Sequence, residues 1–124
     1  MIKQVLSDDI IKQYLPILTA CPLFNTLGIP ELTSYLHNAK VIIKNYKKND
    51  FIAISGDPME GIGVILEGSA ILTRENVLGQ RVIMANLEAS SIFGEALLFS
   101  KHPLWPATIK ALKPTKIMFI PLET

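Results

Sequence analysis

The chain has little of what metal, disulfide and redox chemistry require. Of its 124 residues one is cysteine, Cys21, and two are histidine, His37 and His102. A single thiol excludes a disulfide framework, a four-cysteine zinc site and a cysteine-held iron–sulfur cluster. Two histidines, with no His-x-His pair, leave no ligand cluster for a metal-dependent β-roll enzyme. There is no Gly-x-Ser-x-Gly nucleophile elbow and no credible Cys/His pair. Neither Gly-x-x-x-x-Gly-Lys-Ser/Thr nor Gly-x-Gly-x-x-Gly occurs. The reading is therefore of a chain that is not an enzyme, with no catalytic residue, no metal ligand and no cofactor. Charge is scarce as well. Twelve Lys+Arg against eleven Asp+Glu leave a net charge of +1, which excludes nucleic-acid binding by a bulk basic excess. The N-terminus has Asp8 and Asp9 where a signal peptide needs its apolar stretch. The longest uncharged run, Tyr14 to Pro30, falls short of the ~20 residues that span a bilayer and is broken by Pro16, Pro22 and Pro30. These absences point to a cytoplasmic protein with no membrane partner.

What is present is apolar material in short, regular packets. Apolar residues make up 49% of the chain and charged ones 19%, enough for a core and too much for disorder. The first forty residues read as helical. Ser7, Asp8 and Asp9 form an N-cap with acids in the first turn, where the helix dipole favours them. Ile10, Ile11, Tyr14, Leu15 and Leu18 follow at helical spacing, and Pro22 interrupts the pattern. A second helix is predicted from Ile29-Pro30-Glu31 to about Asn38, with Leu32, Tyr35 and Leu36 as its stripe and His37 near its end.

After Lys40 the period changes. Val41–Ile43, Phe51–Ile54, Ile62–Leu66, Ala70–Leu72, Val82–Met84, Thr108–Ile109 and Ile117–Ile120 are short and rich in β-branched residues. Turn signals separate them at Lys47–Asp50, Gly56–Pro58, Glu67–Gly68, Asn76–Gly79, Glu88–Ser91 and Lys113–Thr115. That spacing predicts an antiparallel sandwich or barrel. The fold class is α+β, mainly β: N-terminal helices over 1–39, then a β-roll or jelly roll over 40–124, together one compact domain. Gly56, Gly61, Gly63 and Gly68 read as turn glycines of that roll.

The order of these motifs resembles a known family. Phe51 to Pro58, Gly63 to Ala70, Gln80 to Ile83 and Phe93-Gly94-Glu95-Ala96-Leu97-Leu98-Phe99, taken together from about Leu23 to Leu122, are similar to the cyclic-nucleotide-binding domain of the Crp/Fnr superfamily of bacterial transcription regulators. The resemblance implies a double-stranded β-roll holding a small effector, with a short helix opening at Gly94. It implies that Gly94 and Glu95 stand at ribose-contacting positions. It also implies that Trp105-Pro106-Ala107 stands where an Arg-Ser/Thr-Ala segment holds the cyclic phosphate in members that bind cyclic AMP. The cation has become an indole and the hydroxyl a proline, and Ala107 alone matches. A buried phosphate needs fixed donors and a delocalised cation, so the effector expected here is something other than a cyclic nucleotide.

Individual residues carry two readings each. Trp105 either lines a pocket for an aromatic or other apolar effector, or fills the vacated pocket as core. Glu95 either accepts a hydrogen bond from a ligand hydroxyl or stabilises the first turn of the short helix. Ser91, with Ser90, either donates to a ligand or serves as a turn and cap residue. Lys101, His102 and Lys110 are nearby groups that could replace the missing cation. Cys21, between Ala20 and Pro22, reads as a buried inert thiol, and His102 as a solvated loop residue rather than a haem ligand. The chain stops at Thr124, where the resembling family continues into a dimerisation helix and a helix-turn-helix. The expectation is a sensor domain of a longer, homodimeric regulator that reaches DNA only through a part missing from this chain. A ligand-free protein-interaction module on the same fold, and a degenerate cyclic-nucleotide-binding domain, are the alternatives.

Overall fold

The computed structural model describes residues 8–20, 28, 30–31, 33–34, 41–59, 61–94, 101 and 103–121. Among them are one long helix, α1 (Asp8–Ala20), and eight strands. The strands are β1 (Ile42–Tyr46), β2 (Phe51–Ala53), β3 (Gly61–Glu67), β4 (Ser69–Glu75), β5 (Arg81–Glu88), β6 (Ile92–Phe93), β7 (Thr108–Ala111) and β8 (Thr115–Pro121). They form two four-stranded sheets, ordered β1-β8-β3-β6 and β2-β7-β4-β5, with every pairing antiparallel. This is the predicted β-roll. All seven apolar runs became strands, and β6 is the one added. Two residues carry no period to read, and Ile92–Phe93 is held by pairing with Val64 and Gly63.

The roll has two apolar layers, and β3 and β8 belong to both. Inside, between the sheets, lie Ile65 of β3 and Ile117 and Phe119 of β8, with Ile52, Leu87, Phe93, Trp105 and Ile109. Outside, α1 lays Ile11, Tyr14 and Leu18 over Val64, Leu66, Met118 and Ile120. A strand covered on both faces needs apolar residues at successive positions, which is why Ile62–Leu66 and Ile117–Ile120 do not alternate. Burying each such side chain stabilises the fold by roughly 1.5–3 kcal/mol. The helix runs through Pro16. Lys12, whose carbonyl is left without its usual donor, is exposed, as is the proline. Midway along α1, Lys116 Nζ donates to Tyr14 Oη at 2.9 Å and fastens the helix to β8.

Of the predicted second helix, Pro30, Glu31, Thr33 and Ser34 are helical. The Ser7 cap, Cys21, His37 and the rest of that helix lie outside the described residues, as do Glu95, His102 and the short helix expected after Gly94. Two of the supposed turn glycines are corrected. Gly56 and Gly68 do occupy turns with positive φ, but Gly61 and Gly63 sit inside β3. A Cβ at Gly63 would run into the Phe93 ring, and one at Gly61 into the Ile120 carbonyl. Close approach, rather than chain reversal, selects glycine there.

Candidate functional site

The segment before β7 decides the character of the roll interior. Trp105 N–H donates to the Asp57 carbonyl at 2.9 Å, Gly56 N–H to the Trp105 carbonyl at 2.9 Å, and Met59 N–H to the Pro103 carbonyl at 3.0 Å. This short ladder ties residues 103–105 to the 56–59 loop, with Pro58 and Leu104 bridged between. Pro106 favours it twice. It restricts the preceding Trp105 to extended backbone, and it has no N–H that needs a partner. The ladder turns the indole inward. Trp105 is 8% exposed and belongs to the interior cluster, with its ring 5.7 Å from that of Phe93. Phe93 in turn meets Phe119 edge-on at 6.0 Å.

Gly94 closes the other side of the indole. Its φ is +92°. A Cβ there would lie 2.8 Å from Met59 Cε and 3.2 Å from Trp105 Cζ3. Gly94 and Trp105, both placed at the effector by the resemblance, are therefore neighbours with no room for a side chain between them. Ala107 is buried two residues on, at the entry to β7. Ser91 is engaged elsewhere: its Oγ accepts from Glu88 N–H at 3.0 Å and its carbonyl from Ile65 N–H at 3.0 Å.

Of the groups that could replace the lost cation, Lys101 and Lys110 point elsewhere, and His102 lies outside the described residues. Lys101 is exposed. Lys110 alternates with the buried Ile109 and Ala111 and so faces away from the interior. The chain has two arginines, both on the β4–β5 hairpin, where Arg74 opposes Val82 and Arg81 opposes Glu75. Both are exposed, and no guanidinium enters the roll. Sequence reasoning missed Phe93, Met59 and Asp57 as neighbours of the indole. It also missed Lys44, although strand alternation from Ile42 and Tyr46 was a signal for it.

The family model for the cyclic nucleotide-binding domain matches residues 43–124. The chain belongs to this family. No curated protein matches it. Among solved structures it is similar to the N-terminal domain of a transcriptional regulator from Streptomyces coelicolor A3(2), at 26% identity and a TM-score of 0.71, covering 85% of this chain and 71% of that one. It is similar to the sensor domain of the transcriptional regulator DNR from Pseudomonas aeruginosa, at 22% identity and a TM-score of 0.73, covering 90% and 74%. It shares its fold with the regulatory subunit of a cAMP-independent protein kinase A from Trypanosoma brucei, solved as a triple mutant with cAMP, at 19% identity and a TM-score of 0.75, covering 92% and 42%. The domain spans about half, or less, of the length of several chains it matches. No helix among the described residues is long and apolar enough to cross a membrane.

Proposed function

We propose that this cyclic nucleotide-binding domain is the effector-sensing part of a Crp/Fnr-like transcription regulator, and that its effector is not a cyclic nucleotide. The observation that carries the reading is the indole of Trp105 against Gly94, with both arginines exposed on the β4–β5 hairpin. A cyclic phosphate held without a guanidinium loses a charge-assisted contact of ~1.5–3 kcal/mol, roughly a tenfold to hundredfold loss of affinity. The similarity to a sensor domain and to a regulator's N-terminal domain supports the regulatory role. In this reading residues 1–39 are a helical segment and 40–124 the effector-binding roll. Glu95, Ser91 and Ala107 flank the site, and a homodimer reaches DNA through segments beyond the domain. The effector acts by binding two regulator states with different affinity.

A melting experiment with cyclic AMP and cyclic GMP tests this. The expectation is no shift at micromolar nucleotide. A ligand at about 100 times its Kd adds ~2.7 kcal/mol, so a clear shift at micromolar cyclic AMP overturns the reading. One observation favours the second reading, a ligand-free interaction module or a degenerate nucleotide-binding domain: the indole fills the interior as core. Melting unchanged across a broad metabolite library supports that alternative.

A further inference from the structure

The inner face of β1 carries a residue foreign to a roll interior. Ile42 and Tyr46 pack against the interior cluster, and alternation places Lys44 on their face. Its ammonium lies over the Phe119 ring, 5.3 Å from the centroid. β1 and β2 are edge strands of the two sheets. Between them the roll opens into a cleft of about 180 Å³, lined by Lys44, Phe51, Ile54, Asp57, Trp105 and Phe119 among others. Of the described residues that the family resemblance put at the effector, Trp105 alone lines it.

We infer that this cleft binds a small aromatic monoanion, with Lys44 taking the anionic group and Phe51, Trp105 and Phe119 forming the walls. The inference rests on the effector-sensing reading above and moves the ligand from the pouch at Gly94 to the open side of the roll. Size sets the first limit. An apolar cavity of ~150 Å³ accepts a benzene ring, whereas larger ligands occupy pockets of ~300–1,000 Å³. The cleft therefore has room for one ring with a short substituent. Chemistry sets the second. Aromatic walls favour an aromatic guest through offset and edge-to-face packing. The Lys44 ammonium over Phe119 places positive charge in an opening where attraction to an anion is stronger than in bulk water. Asp57 on the same rim repels a second negative charge, so a monoanion is preferred to a phosphate monoester.

The chain's single tryptophan lines the cleft, so its fluorescence reports binding. Benzoate, benzylamine, cyclohexanecarboxylate and cyclic AMP are titrated into the protein and into Lys44→Met, which keeps the aliphatic stem over Phe119. Benzoate is expected to give a saturable change, benzylamine none, and cyclohexanecarboxylate a weaker one. Lys44→Met is expected to weaken benzoate about tenfold or more, the loss of one charge-assisted contact. If Lys44→Met melts well below the parent, Lys44→Gln supplies the same comparison. Equal benzoate affinity in parent and variant overturns the proposal, as does benzylamine binding as tightly as benzoate. Cyclohexanecarboxylate matching benzoate overturns the aromatic assignment. No response to benzoate or cyclic AMP overturns the cleft and leaves the effector reading standing. Saturable cyclic AMP binding that competes with benzoate overturns both.

Discussion

Replacing Trp105 by alanine measures whether the indole is part of the core or a removable lining. It is nearly fully buried, stacks obliquely on Phe93 and touches the space above Gly94. Truncating a buried tryptophan to alanine costs about 3–5 kcal/mol, transfer and cavity terms together, of which the aromatic pair supplies ~0.5–1.5 kcal/mol. Domains of this size are stable by ~5–15 kcal/mol, so Trp105→Ala is expected to fold with a clearly reduced margin. The backbone ladder from residues 103–105 to the 56–59 loop uses no side-chain atom and should persist. Urea unfolding followed by circular dichroism reads the loss, because the variant has no tryptophan to report. With a denaturant slope of roughly 1.5 kcal/mol/M, the midpoint is expected to fall by ~2–3 M with the slope unchanged. A loss under ~1 kcal/mol refutes the reasoning, for it means that the indole contributes no more than a surface side chain.

Two further expectations follow from single contacts. Gly94→Ala places a Cβ at φ +92° against Met59 and Trp105, and is expected to lose ~1–3 kcal/mol in the same assay. At an unstrained position the same change gains ~0.4–1 kcal/mol, so a stabilised variant refutes the geometry. Lys116 is held above its ordinary value of 10.5, chiefly by its hydrogen bond to Tyr14. A raised lysine stabilises the fold fully below its unfolded value and less as pH rises through the folded one. The stability difference between the parent and Lys116→Met is thus expected to be constant from pH 7 to about 10 and to shrink above 10.5. Urea midpoints across pH 7–12 check this, and a difference that grows with pH reverses the sign.

Local chemistry is legible in this chain because turns are chosen locally. Asn76 illustrates it: its Oδ1 accepts from Leu78 N–H at 2.9 Å and Gln80 N–H at 3.0 Å. Together with Gly79 at φ +79°, this makes the hairpin where the sequence places one. What β5 does with its residues is not local. Val82, Ile83 and Met84 are all exposed, because β5 ends its sheet and nothing among the described residues covers it. Apolar content there predicts the strand and says nothing of its burial.

The amino-acid order alone determined the roll: β-branched packets between turn residues have few other ways to bury themselves, and the Gly94 and Trp105 positions followed from the motifs. Two things were decided only by the folded arrangement. The direction of the indole depends on the 56–59 loop, nearly fifty residues away in sequence, whose backbone bonds turn Trp105 inward. The cleft at Lys44 depends on where the edges of two sheets part, a meeting of β1 and β2 with β8 and Trp105. Side-chain type and spacing set which faces are apolar, but the contacts between faces far apart in the chain exist only once the sheets have closed.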